Sequence, residues 1–342
     1  MADNEPLVSV VIPVYNAAAF LPTCFSGLKA QVFQEFEAIF VDDGSTDTTG
    51  RILTQAVALE PHFRMIRQNH KNAGSARNKG LQEVKSKYVC FWDVDDEYDP
   101  YLLLNAIQCL EQTKADIVLF HYKEKRDNGK ETFRNSYPAE WAKNGKREYF
   151  TEASPEEALL LGGGSVWNKV YRTVLIREHH LQFDELAAYN DVGFVLRGNL
   201  AANKIALLDE YLYSYWYNNS GSVTESKSEH YDLILHVLQG LEAQEPLNQG
   251  VSAAGAHYRI KTLLYDIRDY RTKQAEDYYG ACQLFLRKTE FDKEKIAAFY
   301  PQLNTMIRVF RLIDLWLIQL LDAFGMIKFI REKMHRQREY VE

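Results

Sequence analysis

A short apolar stretch of the chain ends in a cluster of carboxylates whose spacing suits metal chemistry. The stretch covers residues 88–92, and Asp93, Asp95 and Asp96 follow it within four positions. Like charges this close repel one another, so the cluster is costly unless a cation lies among them. Hard divalent cations such as Mg²⁺ and Mn²⁺ prefer oxygen ligands and complete their coordination shell with substrate phosphates. These residues alone leave two interpretations open, a metal site and an acidic loop that ends a strand.

The carboxylates need a framework, and the first part of the chain supplies an alternating pattern of strands and helices. Apolar runs predict strands at 7–14, 36–41, 63–67, 88–92 and 115–122, and helical spacing predicts helices at 20–31, 48–59 and 101–112, with one more opened by residues 69–80. This alternation predicts a parallel sheet with right-handed crossovers. In such sheets, ligands bind beyond the carboxyl ends of the strands.

Polar residues follow four of the predicted strands at that edge of the sheet. They are Asn16, Asp42 with Asp43, residues 69–77, and the aspartate cluster. Each could be a turn or a helix cap when taken separately, but together they favour a binding site. The glycine-rich fingerprints of dinucleotide-binding proteins and P-loop nucleotidases are absent from the sequence.

Basic residues add an anion-binding element to the same edge. Arg77 and Lys79 lie in the first turns of a predicted helix, where free N–H groups and the helix dipole favour anions. Together with carboxylates that need a metal, they suit a nucleoside diphosphate. An ion pair on the helix surface is the alternative for Arg77.

The composition is that of a soluble globular protein and argues against several other classes. The 342 residues are 46% hydrophobic and 25% charged, and the net charge of −7 argues against a general nucleic-acid binder. The cysteines are far apart, which predicts buried thiols in a reducing cytosol; they are Cys24, Cys90, Cys109 and Cys282. The start of the chain carries no secretory signal pattern, and no apolar run reaches the roughly 18 residues of a membrane span.

Four motifs resemble the family 2 glycosyltransferases of the GT-A fold. They are SVVIPVYN at 9–16, VDDGSTD at 41–47, NAGSARNKG at 72–80 and DVDD at 93–96. The likeness is dense over residues 6–125 and returns around 165–225. It implies an α/β domain with a Rossmann-like, mostly parallel sheet, and an inverting, metal-dependent transferase that uses a nucleotide-diphospho sugar.

The resemblance also implies roles for individual residues. Pro13, Tyr15 and Asp43 would contact the base of the donor. Arg77 would lie near the base and diphosphate. Asp93 would reach the ribose or the donor sugar, and Asp95 would ligate Mn²⁺ or Mg²⁺ together with Asp93. The other implied donor contacts are Asn16, Asp42, Asn72, Ala76 and Val94, the last of which stands where most relatives have a small residue.

Asp191 matches the catalytic base of the family. Inverting transfer needs a carboxylate near the acceptor hydroxyl, and relatives carry it in a Glu-Asp pair before a helix. Asn190 replaces the glutamate here, which removes a like charge beside Asp191. The alternative is that Asp191 only caps the predicted helix at 192–202. Asp184 and Glu185 are weaker candidates for the base.

The second half predicts an acceptor side and a helical extension. We expect a catalytic domain at 1–225, with a donor half to about 125 and an acceptor half from about 126, and a helical region at 226–342. Residues 123–150 predict a hairpin or loop. The aromatic strand at 207–217 suits either sugar stacking or a half-buried core.

The last predicted helical stretch, 303–338, is strongly apolar and bracketed by basic residues. Basic residues around an apolar face with Trp316 suit anionic lipid headgroups, and acidic residues within the run favour lying on a membrane over spanning it. Packing on the protein's own core or on a second copy of the chain, as a homodimer, is the alternative.

These observations predict an inverting transferase that moves a sugar from a UDP-sugar to a hydroxyl of a glycan acceptor. The resemblance implies a lipid-linked acceptor and bacterial surface polysaccharide, and hence a cytoplasmic enzyme peripheral to the inner face of the cell membrane. A sugar nucleotidyltransferase is the alternative within enzymes, although it would want a basic, glycine-rich loop after the first strand. A non-catalytic membrane-docked scaffold is the alternative outside them.

Overall fold

A computed structural model describes residues 5–137, 149–150, 163–217, 230–244, 249–265, 267, 271–290, 303–323 and 326–327. The chain divides into two compact units. The first comprises Met1–Ala153 with Leu161–Ser222, and the second comprises Ser154–Leu160 with Val223–Glu342. The residues around the predicted boundary near 225 lie outside the described ranges.

The first unit is built on one mixed β-sheet. Its described strands are β1 (Val8–Val14), β2 (Phe36–Asp42), β3 (Phe63–Arg67), β4 (Tyr88–Phe91), β5 (Glu97–Tyr98), β6 (Ile117–Arg126), β7 (Glu131–Arg134), β8 (Tyr149–Phe150), β9 (Lys169–Arg172) and β10 (Ile205–Tyr217). Its described helices are α1 (Leu21–Lys29), α2 (Thr49–Leu59), α3 (Ala73–Glu83), α4 (Leu102–Thr113), α5 (Thr173–Glu178) and α6 (Val192–Ala201). The strand order is β3-β2-β1-β4-β9-β6-β10-β5, with β7 beside β6 and β8 beside β10. The α/β class is confirmed, and in the described part of residues 123–150, where the sequence predicts a hairpin or loop, β6 and β7 form a hairpin.

The predicted parallel arrangement holds for β1 to β4 and changes beyond them. β1 pairs in parallel with β2 and β4, and β2 pairs in parallel with β3. β9 then inserts antiparallel between β4 and β6, so that Val170 lies opposite both Cys90 and Val118. The local pattern could not reveal this insertion, because β9 follows both of the strands that it separates and lies far from them in the sequence.

Apolar packing on both faces of the sheet holds its polar edge in place. On one face, Leu21 of α1 and Leu103 of α4 belong to a core cluster with strand residues such as Phe40. On the other face, Gly80 lets α3 approach β1, because a Cβ there would lie 2.5 Å from Val11 Cγ1. Phe194 of α6 packs edge to face on Phe91 at 5.4 Å between ring centroids. All four cysteines are free and buried, as predicted.

The second unit is helical in its described parts, as the sequence predicts. Its helices are α7 (Tyr231–Gln244), α8 (Gln249–Tyr265), α9 (Lys273–Lys288), α10 (Leu303–Leu312) and α11 (Leu315–Ala323). The buried guanidinium of Arg259 ties three of them together: it donates to Glu242 at 2.7 Å and lies 3.8 Å from the centroid of the Phe285 ring.

The apolar C-terminal stretch divides its side chains between the interior and the surface. Ile307, Phe310 and Ile318 are buried, whereas Val309 and Leu312 are exposed. Part of the predicted apolar face is therefore core of the second unit, which is the alternative considered above. The basic residues from 328 to 338 lie outside the described residues. Among the helices that the structure describes, none has both the length and the apolar character needed to cross a bilayer.

Candidate functional site

The carboxylate of Asp43, at the end of β2, is enclosed by the loop that follows β3. Its Oδ1 accepts hydrogen bonds from Gln68 Nε2 at 2.6 Å and from the Lys71 backbone N–H at 3.0 Å, and its Oδ2 lies 2.9 Å from His70 Nδ1. Gly44 follows with φ of +75°, and a Cβ there would lie 2.7 Å from the His70 nitrogen. A glycine is therefore needed for this close approach of the two loops.

An aromatic platform lies beside this enclosed carboxylate. Tyr15 follows β1, is 44% exposed, and stacks on His70 with 3.9 Å between ring centroids and 18° between planes. Pro13 occupies the end of β1 opposite Val41 of β2. A flat exposed ring next to a hydrogen-bonding carboxylate suits a nucleobase, which stacks on one group and bonds to the other. The structure thus brings Pro13, Tyr15 and Asp43 to one edge.

Asn16 and Asp42 hold the loop between β2 and α2. Asn16 adopts φ of 45°, and its Oδ1 accepts from the backbone N–H groups of Thr46 at 2.8 Å and Asp47 at 3.3 Å. The fully buried Asp42 accepts from the Ser45 N–H at 2.8 Å, and its other oxygen lies 3.4 Å from Arg67 Nε. In this geometry both side chains shape the loop. Their direct contact with a nucleotide-sugar donor stays a prediction.

The start of α3 is fixed in a similar way. Asn72 is the N-cap, and its Oδ1 accepts from the Ser75 N–H at 2.9 Å. Ala76 is fully buried in the next turn. Gly74 packs against the chain before α6, because a Cβ there would lie 2.3 Å from the Asp184 carbonyl oxygen. Direct contacts of Asn72 and Ala76 with a nucleotide-sugar donor likewise stay predictions.

Arg77 joins the two halves of the site. Its guanidinium is buried and donates through Nη2 to Asp93 Oδ1 at 2.6 Å and through Nη1 to Asn190 Oδ1 at 2.8 Å. The guanidinium carbon also lies 5.5 Å from the centroid of the Phe183 ring. Arg77 does form an ion pair, as the alternative for this residue expects, but the pair is largely buried because the chain that leads to α6 covers one face of the helix. Asn190 stands where the resemblance leads us to expect a glutamate, and its side-chain oxygen accepts a hydrogen bond from Arg77.

Two tyrosines fix the backbone at the head of the aspartate cluster. The Asp93 N–H donates to Tyr213 Oη at 3.1 Å, and the Tyr98 hydroxyl donates to the Asp93 carbonyl at 2.6 Å. Tyr213 is fully buried and stacks on Trp167 at 4.7 Å. At least this residue of the aromatic strand therefore belongs to the core, and it supports the acidic loop from behind. Val94 also packs against the core.

The cluster itself carries the electrostatic cost expected of three neighbouring carboxylates. Asp96 is buried, and its Oδ1 accepts from the Trp216 N–H at 2.9 Å. Burial first, and then the charges of Asp95 and Asp93, raise the pKa of Asp96 well above its usual range. Its Oδ2 has no hydrogen-bond partner among the described residues. A cation bound at the cluster would relieve this repulsion.

Two carboxylates of the cluster would suit a metal ion that completes its coordination shell with phosphates. Among the described residues, no group of three or more histidine, cysteine, aspartate or glutamate side chains is arranged to hold an ion. Mg²⁺ commonly takes one or two carboxylates and completes its shell with substrate phosphates and water. Asp93 and Asp95 would supply those carboxylates. Metal binding by them stays a prediction.

Asp191 stands at the start of α6 without capping it. The residue occupies the N-cap position, but its side chain makes no capping hydrogen bond, so capping does not account for it. The rival carboxylates are engaged elsewhere: Asp184 pairs with Arg197 at 3.3 Å, and Glu185 pairs with Lys71 at 3.4 Å. Asp191 directly follows Asn190, so the Arg77 contact ties its backbone to Asp93.

Sequence reasoning missed several residues of this site. The motif marks Asn190 only as a departure from the family pattern, and it assigns no role to the buried Lys169 on β9. Tyr98, Tyr213 and the burial of Asp96 were also missed. A lysine within the apolar run 166–171 was a signal in the sequence, because lysine is seldom buried without a partner.

Comparison with known proteins identifies a family match that lies mostly in the first unit. Residues 9–177 match the family model described as Glycosyl transferase family 2. The uncharacterized glycosyltransferase EpsJ of Bacillus subtilis (strain 168) is 30% identical over 227 residues, which are 64% of this chain and 63% of EpsJ. The glycosyltransferase GlyG of Streptococcus pneumoniae serotype 4 is 26% identical over 310 residues, which are 84% of this chain and 97% of GlyG.

A solved structure shares the fold. Staphylococcus aureus TarS 1–349, crystallised with UDP-GlcNAc, superposes with a TM-score of 0.66 at 20% identity, covering 98% of this chain and 93% of that one. The expected α/β fold with C-terminal helices is thereby confirmed.

Proposed function

The chain belongs to glycosyl transferase family 2 through residues 9–177, and on this premise we propose that it moves a sugar from a UDP-sugar to a hydroxyl of a glycan acceptor. The observation that carries the proposal is the Arg77 bridge, which ties the aspartate cluster to the residue beside Asp191. The groups proposed to bind the diphosphate and the carboxylate proposed as the base then lie at the same edge of the sheet. TarS, which shares the fold, was solved with UDP-GlcNAc, and this supports a UDP-sugar as the donor.

The donor would bind across the ends of β1 to β4. Its base stacks on Tyr15 and forms hydrogen bonds at Asp43. Its diphosphate approaches Arg77 and the start of α3, where helix N–H groups favour anions. Asp93 and Asp95 would hold Mn²⁺ or Mg²⁺, which would supply positive charge to stabilise the leaving diphosphate.

Asp191 would act as the general base for the acceptor hydroxyl. The hydroxyl oxygen attacks the anomeric carbon from the face opposite the diphosphate, and its proton passes to the Asp191 carboxylate. The bond between the anomeric carbon and the diphosphate oxygen breaks, and UDP leaves with the electron pair. The new glycosidic bond lies on the opposite face of the ring, so the configuration inverts.

UDP release from a panel of UDP- and GDP-sugars, with and without Mn²⁺, tests the donor and metal assignments. We expect turnover of one UDP-sugar that requires the metal and is lost in Asp95→Ala. Asp127→Ala is the matched control, because Asp127 is an exposed aspartate in the β6–β7 turn of the same unit. Added glycan acceptors then test transfer beyond donor hydrolysis.

Two further measurements would detect the competing functions. Pyrophosphate release from UTP and a sugar phosphate would favour a nucleotidyltransferase. Absence of both UDP turnover and UDP binding, measured by calorimetry with Mn²⁺, would favour the non-catalytic scaffold.

We also propose that the second unit meets a membrane surface, with a lipid-linked glycan as the acceptor at the cytoplasmic face. Leu312 is 81% exposed and lies near the exposed Arg308 on α10, a pairing that suits an anionic lipid surface. In co-sedimentation with anionic vesicles, Leu312→Glu should lose binding. Leu59→Glu should not, because Leu59 is as exposed, at 79%, but lies on α2. Equal binding by both variants would contradict this surface, and self-association without vesicles would favour a homodimer.

A further inference from the structure

A buried lysine lies at the polar edge of the sheet, where the proposed function does not use it. Lys169 begins β9 and is only 1% exposed. Its Nζ donates to the Ser165 carbonyl at 2.6 Å and to Asn168 Oδ1 at 2.9 Å. An ammonium group is costly to bury unless hydrogen bonds and an opposite charge accompany it. Its retention in an apolar strand therefore calls for an explanation.

The position of this ammonium is fixed by a chain of buried hydrogen bonds. Asn168 Nδ2 donates to Ser136 Oγ at 3.0 Å, and the Ser136 N–H donates to His121 Nδ1 at 3.0 Å. Nε2 of His121 must then carry the proton, and it donates to Asp209 Oδ1 at 3.2 Å. Because the Asn168 amide is fixed at both ends, its oxygen stays turned toward Lys169.

The strand that carries Lys169 packs against the helix that begins after Asp191. Tyr171, two residues along β9 and on the same face, contacts α6 through the Phe194 ring at 5.5 Å and lies 3.5 Å from a Cβ built on Gly198. β9 runs antiparallel to β4, so Lys169 lies nearer than Tyr171 to the edge where the aspartates follow β4. That edge also holds the N-terminal end of α6.

An anionic neighbour would stabilise an ammonium group near this end of the helix. The positive end of a helix dipole disfavours a nearby ammonium. Burial lowers the pKa of Lys169 to about 7, and the charge of Asp191 opposes that fall. The same carboxylate also contributes to the raised pKa of Tyr171. Asp191 thus lies within electrostatic reach of both β9 side chains.

Resting on the proposed function, we propose that Lys169 is a positioning residue for the transfer step, whose ammonium is the countercharge that holds the Asp191 carboxylate in place for the acceptor hydroxyl. Lys169 touches neither donor nor acceptor in this role and acts through Asp191. The hydrogen-bond chain to Asp209 keeps the ammonium from turning away.

A double-mutant cycle on transfer kcat separates this role from a structural one. Lys169→Met keeps an unbranched side chain of similar length and removes the charge. It should lower kcat by about 10²-fold, the cost of a small misplacement of a reacting group. In an Asp191→Asn background the same substitution should leave the residual rate unchanged, because its target is already gone. UDP affinity should match the wild type throughout, and the fall in melting temperature that follows loss of the hydrogen bonds to Ser165 and Asn168 should be the same in both backgrounds.

Losses that multiply across the cycle, or an unchanged kcat in Lys169→Met, would overturn the proposal. If Lys169→Met does not fold, Lys169→Gln provides the second neutral variant for the same cycle. A wild-type chain that transfers no sugar would contradict the proposed function instead, so the two failures are distinguishable.

Discussion

Replacing Asp191 by asparagine should lower the transfer rate by about 10²–10⁴-fold, the contribution usually made by a positioned general base. Asparagine keeps the size of the side chain and its place before α6 but cannot take the acceptor proton. Because the side chain makes no capping bond, the helix loses no capping hydrogen bond when the charge is removed. UDP–Mn²⁺ affinity should stay at the wild-type value, so the loss falls on kcat, measured by UDP release with a saturating acceptor.

Glu185→Gln is the matched control for the Asp191 variant. Glu185 lies in the same segment before α6, and its exposed carboxylate pairs with Lys71 at 3.4 Å. Its replacement should leave kcat within twofold of the wild type, roughly the effect of a surface ion pair. A similar loss in both variants, or full activity in Asp191→Asn, would move the base to another carboxylate.

Replacing Arg77 by methionine should destabilise the first unit by about 3 kcal/mol, the lower end for breaking a buried ion pair by removing one partner. Asp93 and Asn190 would lose their donor, while Asp93 keeps some access to water because its side chain is 27% exposed. The melting temperature should fall by about 6–12 °C, as followed by tryptophan fluorescence. UDP affinity should fall as well, because a cation near the diphosphate is lost.

Arg64→Met provides the comparison for Arg77. Arg64 also contacts two carboxylates, Glu37 at 2.9 Å and Glu83 at 3.4 Å, but its side chain is 44% exposed. We expect a change of less than about 1 kcal/mol for this variant. Equal destabilisation by the two substitutions would mean that the Arg77 bridge contributes no more than a surface pair. Arg77→Lys should be intermediate, because an ammonium cannot reach both partners as a planar fork does.

Local patterns were sufficient to predict the polar edge of the sheet. They were not sufficient to predict the side-chain contacts between distant segments at that edge. Strands β1 to β4 and their helices follow from apolar runs and spacing, and a parallel sheet brings the strand ends together. The contact between Arg77 and Asn190 spans 113 residues, and no local pattern encodes such a pairing. The family likeness drew attention to Asn190 as a missing charge, whereas its oxygen is the acceptor for Arg77. Lys169 was hidden for a related reason, because its partners come from segments that only the tertiary fold assembles.

The placement of β9 has a consequence for how the protein is made. β4 and β6 are synthesised well before the strand that separates them, so a nascent chain ending before residue 169 has a sheet with its middle strand missing. Such a chain exposes two unpaired strand edges, which are templates for association with other chains. Closure of the sheet must then await emergence of β9 from the ribosome. Truncation ahead of β9 should therefore yield an insoluble fragment, even though it retains every donor-side motif.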